Sequence, residues 1–93
     1  MNLNGISIVI ATKGRVKLLE DLLISVKNAR SNFDKPSEVL LIDDSNAKDA
    51  TAIHEMCQKY DAKIIEFGPS VPEKRNVGAR EAQYDIVLFL DSD

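Results

Sequence analysis

The spacing of apolar residues along the chain alternates between short continuous runs and repeats at helical spacing. Three short and nearly continuous apolar runs, Ile6–Ile10, Val39–Ile42 and Ile86–Leu90, are typical of strands buried on both faces. A fourth run, Ala62–Phe67, is more polar and indicates a strand at a sheet edge. The sequence therefore predicts four strands, of which the third is the most exposed.

Apolar residues recur at helical spacing between these runs, so each intervening segment has one apolar face. The spacing predicts a first helix over Arg15–Arg30 and a weakly amphipathic third helix over Pro72–Gln83. The second helix is predicted from residues at positions i, i+3, i+4 and i+7, namely Ile53, Met56, Cys57 and Tyr60. Ser70, with Glu73 three residues later, predicts a capping box at the start of the third helix.

The alternation of strands and helices, joined by short connections, predicts a parallel sheet covered on both faces. The expected fold class is α/β, a Rossmann-like three-layer α/β/α arrangement with a mostly parallel sheet of about four strands and three helices. In open sheets of this kind, ligands bind beyond the carboxyl ends of the strands. Three polar clusters follow three strands: Thr12–Arg15, Asp43–Ser45 and Asp91–Asp93. We therefore expect one site built from all three clusters.

The last cluster contains two carboxylates separated by one serine. Residues i and i+2 of an extended backbone point to the same side, so Asp91 and Asp93 repel each other unless a cation lies nearby. Mg²⁺ or Mn²⁺ fits, because these hard cations take a few carboxylates together with phosphate oxygens. The plainer interpretation is that one aspartate caps a following turn or is solvated, and the pattern alone leaves both open.

Asp43 and Asp44 follow the second strand in the same way. An acidic residue at this position can accept a hydrogen bond from a ribose hydroxyl or from a base N–H. It can also cap the amino end of the next helix, where free N–H groups need acceptors. Two adjacent aspartates allow both roles, so both are candidate nucleotide contacts.

Candidate basic contacts occur on the third predicted helix and in the first strand-to-helix turn. Arg75, on the third predicted helix, offers a guanidinium fork that matches phosphate oxygens. Its neighbours Lys74 and Arg80 are interpreted as part of a solvated helix face that pairs with nearby glutamates. Lys13 and Arg15, in the first strand-to-helix turn, are candidate nucleotide contacts that allow the same plainer interpretation.

Composition narrows the class of protein. A chain of 93 residues suits one small domain, and 44% hydrophobic with 29% charged residues is ordinary for a globular protein. The net charge of −3 argues against a nucleic-acid partner. The apolar stretches are shorter than a membrane span, and the start lacks the features of a signal peptide. With one cysteine, Cys57, the expected setting is reducing and cytoplasmic.

Four motifs occur in a fixed order: ISIVIATKGR, EVLLIDDSNAKDAT, RNVGAREA and DIVLFLDSD. In this order and spacing they resemble the N-terminal, nucleotide-binding half of a family 2 inverting glycosyltransferase of the GT-A fold. The resemblance covers Ile6 to Asp93. No single motif is specific, but four in register are a strong indication.

The resemblance implies roles for particular residues. Ala11 and Thr12 match the turn that contacts the nucleoside, mostly through backbone atoms. Asp44 matches the aspartate that binds the base, usually uracil. Arg75 falls near the region that supplies a basic contact to the nucleotide.

The D-x-D match concerns Asp91 and Asp93. It implies that Asp93 is a ligand of Mn²⁺ or Mg²⁺, and that Asp91 lies near the ribose or the metal. Such a metal bridges the diphosphate of a sugar nucleotide, most often a UDP-sugar, and stabilises it as a leaving group. The implied acceptor is a hydroxyl of a glycan or of a lipid-linked molecule.

This sequence departs from the family in two respects. Ala11, Lys13 and Gly14 replace a proline, a tyrosine and an asparagine that the family often has, so the tyrosine that stacks on the nucleoside is absent. Family members also continue past the D-x-D into an acceptor half that carries the general base. We therefore expect residues 1–93 to be one nucleotide-sugar-binding domain, a fragment that ends at the D-x-D and binds without turnover. We also expect an exposed sheet edge that favours homo-oligomers, and a peripheral membrane location for the full-length form.

Three other classes share parts of this pattern. A sugar nucleotidyltransferase has a similar sheet and metal-binding carboxylates, but it usually has a longer glycine-rich loop than ATKGR. A receiver-like signalling domain places its acid pair after the first strand, whereas here the pair follows the second. A binding or assembly module without activity is the third alternative.

Overall fold

The computed structural model describes residues 2–91, with side chains from residue 5 onward. Seven elements alternate along the chain: β1 Asn2–Thr12, α1 Val16–Ser31, β2 Ser37–Asp43, α2 Ala47–Lys59, β3 Lys63–Glu66, α3 Val71–Glu81 and β4 Tyr84–Asp91. Every predicted element is present, and β1, β2 and β4 extend beyond their apolar runs. None of the helices within residues 2–91 is long and apolar enough to cross a membrane.

The four strands form one sheet in the order β3-β2-β1-β4, and every neighbouring pair is parallel. In the register, Ile8 lies opposite Val39 of β2 on one side and Leu88 of β4 on the other. The central strands β1 and β2 carry continuous apolar runs because helices cover both of their faces. The predicted α/β class, with three layers and a parallel four-stranded sheet, is confirmed.

The two faces of the sheet are covered by different helices. Alternate residues of a strand point to opposite faces, so Ile8 and Ile10 pack with α1 and α2, whereas Val9 packs with α3. On the α1 side, Leu19 and Leu23 are fully buried against the sheet. Burying each of these leucines contributes about 2 kcal/mol to stability. The α1–α2 face holds the larger of the two clusters of buried apolar residues.

Helix α3 lies close to the sheet because a glycine faces it. A Cβ atom on Gly78 would lie 2.2 Å from Cγ1 of Val9, so a larger residue would push the helix away. At the start of α3, the Ser70 hydroxyl oxygen accepts a hydrogen bond from the N–H of Glu73 at 3.3 Å. The Ser70 half of the predicted capping box is therefore confirmed.

The position of β4 differs from the prediction. Its apolar run predicted a central strand buried on both faces, but β4 pairs only with β1 within residues 2–91 and is an edge strand. Ile86, Leu88 and Phe89 are 58%, 44% and 42% exposed. A continuous apolar run shows that a strand favours burial, and it does not show what covers the strand. The predicted edge position of β3 is confirmed.

A buried carboxylate lies toward the amino ends of the central strands. Glu38 of β2 accepts hydrogen bonds from the Ser7 hydroxyl at 2.6 Å and from the N–H of Gln83 at 2.7 Å. The exposed ammonium of Lys63 lies 3.5 Å away. Burial alone opposes ionisation of Glu38, but the hydrogen bonds from Gln83 and Ser7 and the Lys63 charge outweigh it and lower the pKa of the carboxyl. This group joins β1, β2 and the start of β4.

Candidate functional site

The order of the strands places a crevice at one point of the sheet. From β1 the chain proceeds outward to β2 and β3 on one side, and it then returns to β4 on the other side of β1. In an open parallel sheet, the ligand crevice lies beyond the carboxyl ends of the strands where the order reverses. Here the reversal lies between β1 and β4, so the carboxyl ends of these two strands mark the candidate site.

A cleft of about 280 Å³ lies at this point, and we call it the first cleft. Its lining comes from the end of β1, the start of α1, the start of α3 and the end of β4: Ala11, Thr12, Lys13, Arg15, Val71, Lys74 and Asp91. Three cationic side chains and one carboxylate therefore surround it. This balance of charge favours an anionic ligand.

The ends of β1 and β2 are joined by a hydrogen-bonded network below the first cleft. The Thr12 hydroxyl donates to Asp43, and the Ser45 hydroxyl donates to the same carboxylate at 2.6 Å. The N–H of Gly14 in turn donates to the Ser45 hydroxyl at 2.7 Å. Asp43 is 1% exposed, so its carboxylate fixes the two turns relative to each other. Its predicted contact with a nucleotide stays a prediction.

Asp44, the next residue, pairs with two lysines. The Lys74 ammonium of α3 donates to its carboxylate, and Lys13 lies 3.6 Å from the other carboxylate oxygen. The hydrogen bond and charge of Lys74 hold the pKa of Asp44 below its usual value, and Lys13 adds to this effect. Asp44 is therefore ionised at neutral pH and lies beside the first cleft.

A second cleft, of about 460 Å³, lies between the ends of β2 and β3. Asp43 and Asp44 line it, together with residues of the loop after β3. That loop approaches Asp44 closely, since a Cβ atom on Gly68 would lie 2.4 Å from the Asp44 Cβ. The Asp44 side chain is thus held from one side by Lys74 and from the other by the backbone at Gly68.

Arg75 and Asp91 meet at the rim of the first cleft. One guanidinium nitrogen of Arg75 donates to both Asp91 oxygens, at 2.8 and 3.1 Å. The Nε of Arg75 is buried, and no hydrogen-bond partner for it lies in the part of the chain that the structure describes. Asp93, the predicted metal ligand, lies outside the described residues. The third helix therefore reaches the strand-end aspartate through Arg75, a contact that the sequence did not predict.

The alternative role considered for the Asp43–Asp44 pair, capping the second helix, is wrong. The N-cap of α2 is Asn46, whose side-chain oxygen accepts a hydrogen bond from the N–H of Asp49 at 2.9 Å. Both aspartates are therefore available for other roles: Asp43 in the network below the cleft, and Asp44 in the pair with Lys74.

Comparison with known proteins identifies this arrangement. A family model described as "Glycosyl transferase family 2" matches residues 7–93. The chain belongs to glycosyl transferase family 2. The resemblance inferred from the four motifs is confirmed, and the domain is a glycosyltransferase domain with the GT-A N-terminal half.

Curated relatives of this glycosyltransferase domain are named as chondroitin and hyaluronan synthases. They include chondroitin synthases of Pasteurella multocida strain Pm70, 34% identical, and of Escherichia coli, 30% identical, and a hyaluronan synthase of Pasteurella multocida, 30% identical. The matches cover 96%, 98% and 96% of this chain. The same matches span 9%, 14% and 9% of the relatives, so the chain corresponds to a small part of each.

A solved structure shares the fold of this domain. The crystal structure of S. aureus TarS, residues 1–349, superimposes with a TM-score of 0.75 at 26% sequence identity. The match covers 100% of this chain and 28% of that chain. The parallel sheet with helices on both faces is thus an arrangement that TarS shares with this chain.

The structure brings together most of the predicted site residues of this glycosyltransferase domain. The first cleft is lined by five of them: Ala11, Thr12, Lys13, Arg15 and Asp91. Arg75 contacts Asp91 at its rim, and Asp44 contacts two lysines that line it. The residues converge because the carboxyl ends of parallel strands share one edge of the sheet.

One residue of the site was wrongly interpreted from the sequence. Lys74 was expected on a solvated helix face, but it is 1% exposed and lines the first cleft. The three buried residues of α3 are Lys74, Val77 and Gly78, at positions i, i+3 and i+4. This spacing puts Lys74 on the face that packs against the sheet, and it was the signal available in the sequence.

Proposed function

We propose that this chain is the donor-binding part of a glycosyltransferase that uses a nucleoside diphosphate sugar and a divalent metal. The observation that supports it most strongly is the first cleft. It lies at the reversal of strand order, and it combines three cationic side chains with a strand-end carboxylate. A diphosphate carries several negative charges, and a site that binds it needs such cations.

The nucleoside end of the donor fits the ends of β1 and β2. The proposed contacts are the backbone at Ala11 and Thr12 and the carboxylate of Asp44, which accepts a hydrogen bond from a base N–H. Asp44 suits this role because it is ionised and held in place by Lys74. UDP is the nucleotide that we propose.

The diphosphate end fits Lys13, Arg15 and Arg75. Arg15 and Lys13 are exposed on the wall of the first cleft. The Arg75 side chain is 42% exposed, so its guanidinium can bind a further anionic oxygen. These three cations offset the negative charge of the donor and orient it toward the end of β4.

Asp91 fits a divalent cation, because its carboxylate is about half exposed at the rim of the first cleft. Residues 2–91 contain no group of three His, Cys, Asp or Glu residues that could hold a metal ion by themselves. Asp91, and Asp93 by the D-x-D match, would therefore share Mn²⁺ or Mg²⁺ with the diphosphate. When bound there, the metal supplies Lewis-acid stabilisation of the departing diphosphate.

We propose that the sugar is transferred with inversion to a hydroxyl of a growing glycan or lipid-linked acceptor. The names of the relatives, chondroitin and hyaluronan synthases, support a polysaccharide product. Asp91 is the single carboxylate that lines the first cleft within residues 2–91, and its proposed role is donor binding. We propose that none of these residues is the general base, and we expect the 93-residue chain to bind the donor without transferring sugar. Reproducible sugar transfer by this chain would contradict that expectation.

Calorimetric titration with UDP, with and without Mn²⁺, tests the donor site. We expect Mn²⁺-dependent binding that weakens at least about tenfold in Asp91→Asn and in Asp93→Ala, because a charged ligand of the metal is lost. Asp85→Asn is the matched control, since Asp85 is an exposed aspartate at the other end of β4. Equal affinity in all four proteins, or binding that ignores Mn²⁺, would contradict the proposed site.

The exposed edge of β4 supports a proposal about self-association. Leu88 and Phe89 lie on a strand that pairs on one side only within residues 2–91. An apolar edge of this kind offers unpaired backbone groups to a second copy of the chain. We expect light scattering to show dimers that become fewer in Leu88→Lys. A monomer at high concentration in the unmodified chain would overturn this proposal.

A further inference from the structure

Lys74 is the largest fully buried side chain of the described residues. It is 1% exposed, although it lies on a surface helix. Removing a lysine ammonium from water is costly unless the charge is paired and its hydrogen-bond donors are used. A lysine kept in this environment therefore requires strong local partners.

The partners of Lys74 come from two different strands. Its ammonium donates to the backbone carbonyl oxygen of Thr12 at 2.8 Å, and it also donates to Asp44. Thr12 ends β1, and Asp44 directly follows β2. One ammonium thus joins α3 to the ends of both central strands, through the two segments that we assign to the nucleoside.

We propose that Lys74 is a positioning residue for nucleobase recognition, which holds the Asp44 carboxylate and the Thr12 carbonyl in the arrangement that receives the nucleoside. The inference rests on the proposed function, and it adds a residue for which the motifs imply no role. Lys74 acts through Asp44 and Thr12, and its effect falls on the nucleoside half of the donor.

Lys13 cannot replace Lys74 in this role. The side chain of Lys13 is 68% exposed and lies 3.6 Å from Asp44, so water and salt screen its charge. The side chain of Lys74 is 2% exposed and makes a direct hydrogen bond. Lys74 donates hydrogen bonds to both Asp44 and Thr12.

A different role for the same residue is direct contact with the diphosphate, because Lys74 also lines the first cleft. The two roles differ in which part of the ligand they affect. A positioning residue acts on the nucleoside, so its loss weakens the binding of uridine and of UDP by the same factor. A phosphate contact acts on the diphosphate, so its loss weakens the binding of UDP and leaves the affinity for uridine unchanged.

The test compares Lys74→Met with the unmodified chain. Methionine keeps the unbranched apolar stem and removes the ammonium. Dissociation constants are measured for uridine by NMR chemical-shift titration, and for UDP with Mn²⁺ by calorimetry. Arg80→Met is the matched control, because Arg80 is an exposed cation of the same helix. We expect Lys74→Met to weaken both ligands by about tenfold, and Arg80→Met to change neither.

Other results would overturn the inference in distinguishable ways. If Lys74→Met lowers the affinity for UDP and does not lower the affinity for uridine, Lys74 is a phosphate contact. If the unmodified chain binds both ligands and Lys74→Met binds them equally well, the positioning role is wrong and the proposed function stands. If the unmodified chain binds neither ligand, the proposed function fails, and this inference fails with it.

A second comparison covers the case in which Lys74→Met does not fold. Asp44→Asn and the double variant Asp44→Asn/Lys74→Met both lack the Asp44 charge, so the double variant leaves no carboxylate at position 44 without its lysine. If Lys74 acts through Asp44, adding Lys74→Met to Asp44→Asn leaves uridine affinity unchanged. A further loss of about tenfold in the double variant would show that Lys74 acts independently of Asp44.

Discussion

Two carboxylates of β2 and its following turn, Glu38 and Asp44, occupy opposite ends of the same strand and have different surroundings. Glu38 is 6% exposed, and its closest partners are a hydroxyl and a backbone N–H. Asp44 lies between two clefts, and its partners are two lysines. Both carboxyl groups have lowered pKa values. A lowered pKa therefore does not by itself distinguish a structural group from a group at a binding site.

The distinction comes from what remains available to a ligand. The two short hydrogen bonds of Glu38 hold β1 and the start of β4 in place, at the end of the sheet away from the first cleft. Asp44 has an 18% exposed side chain and neighbours that line the first cleft. We expect changes at Glu38 to affect stability and changes at Asp44 to affect ligand binding.

The largest effect is expected from Glu38→Ala. It leaves the Ser7 hydroxyl and the Gln83 N–H buried without their acceptor, and it opens a cavity. We expect a loss of about 3 kcal/mol in the free energy of unfolding, measured by urea denaturation. Glu38→Gln is the matched control, and it should lose less because it keeps the shape and one acceptor oxygen. A loss below about 1 kcal/mol in Glu38→Ala would contradict the structural role assigned to Glu38.

Asp44→Asn is expected to have the next largest effect, and to have it on binding. The amide keeps the shape but replaces one acceptor oxygen with a donor, so a base N–H loses a charged acceptor. We expect affinity for UDP to fall by about 10- to 100-fold. Stability should also fall, because the buried Lys74 ammonium loses its charged partner, but by less than in Glu38→Ala, since the amide oxygen can still accept a hydrogen bond from Lys74. Calorimetry and urea denaturation measure the two quantities. A larger change in the free energy of unfolding than in the free energy of binding would show that Asp44, like Glu38, has a mainly structural role.

A smaller effect is expected from acid. Because the pKa values of Glu38 and Asp44 are lower in the folded than in the unfolded chain, their contributions are complete above the ordinary values of 4.5 and 3.8. They are lost as the pH falls through the folded pKa values. Stability of Glu38→Gln should therefore decline less than that of the unmodified chain below about pH 4.5. Parallel decline of both chains would show that Glu38 is not the group responsible.

The smallest effect is expected from Lys63→Met. The Lys63 side chain is 66% exposed, and its ammonium lies 3.5 Å from Glu38. Surface ion pairs contribute little, so we expect a loss of less than about 1 kcal/mol in the free energy of unfolding. Lys74→Met, which removes a buried lysine from Asp44, should lose more stability than this. If Lys63→Met and Lys74→Met lose the same free energy of unfolding, burial does not decide how much each lysine contributes to stability.

Much of the fold is encoded in local patterns. The continuous apolar runs of β1 and β2 predict central strands, and the periodic leucines of α1 predict a helix with one buried face. Strand ends place polar clusters on one edge, so Asp44, Thr12 and Asp91 were predicted to converge. These features follow from periods of two or of about 3.6 residues, which a single sequence displays.

Other features depend on neighbours that a local pattern does not reveal. The run in β4 has the composition of a buried strand, but its exposure is decided by how many strands flank it. Lys74 has the character of a surface residue, and its burial is decided by carboxylate and carbonyl groups 30 and 62 positions away. Asn46, and neither aspartate before it, caps α2, since the chain must first turn away from the sheet.

The edge position of β4 has a consequence for hydrogen exchange. Each end of the first cleft rests on a strand with a different number of neighbours: β1 is held on both sides, and β4 on one side within residues 2–91. Amide protons in β4 should therefore exchange with solvent faster than those in β1, because fewer contacts must break to open the strand. A ligand that bridges Thr12 and Asp91 would link β1, which has two neighbouring strands, to β4, which has one within residues 2–91. Slower exchange in the residues of β4 that precede Asp91 would then report occupancy of the cleft, in backbone that the ligand itself does not touch.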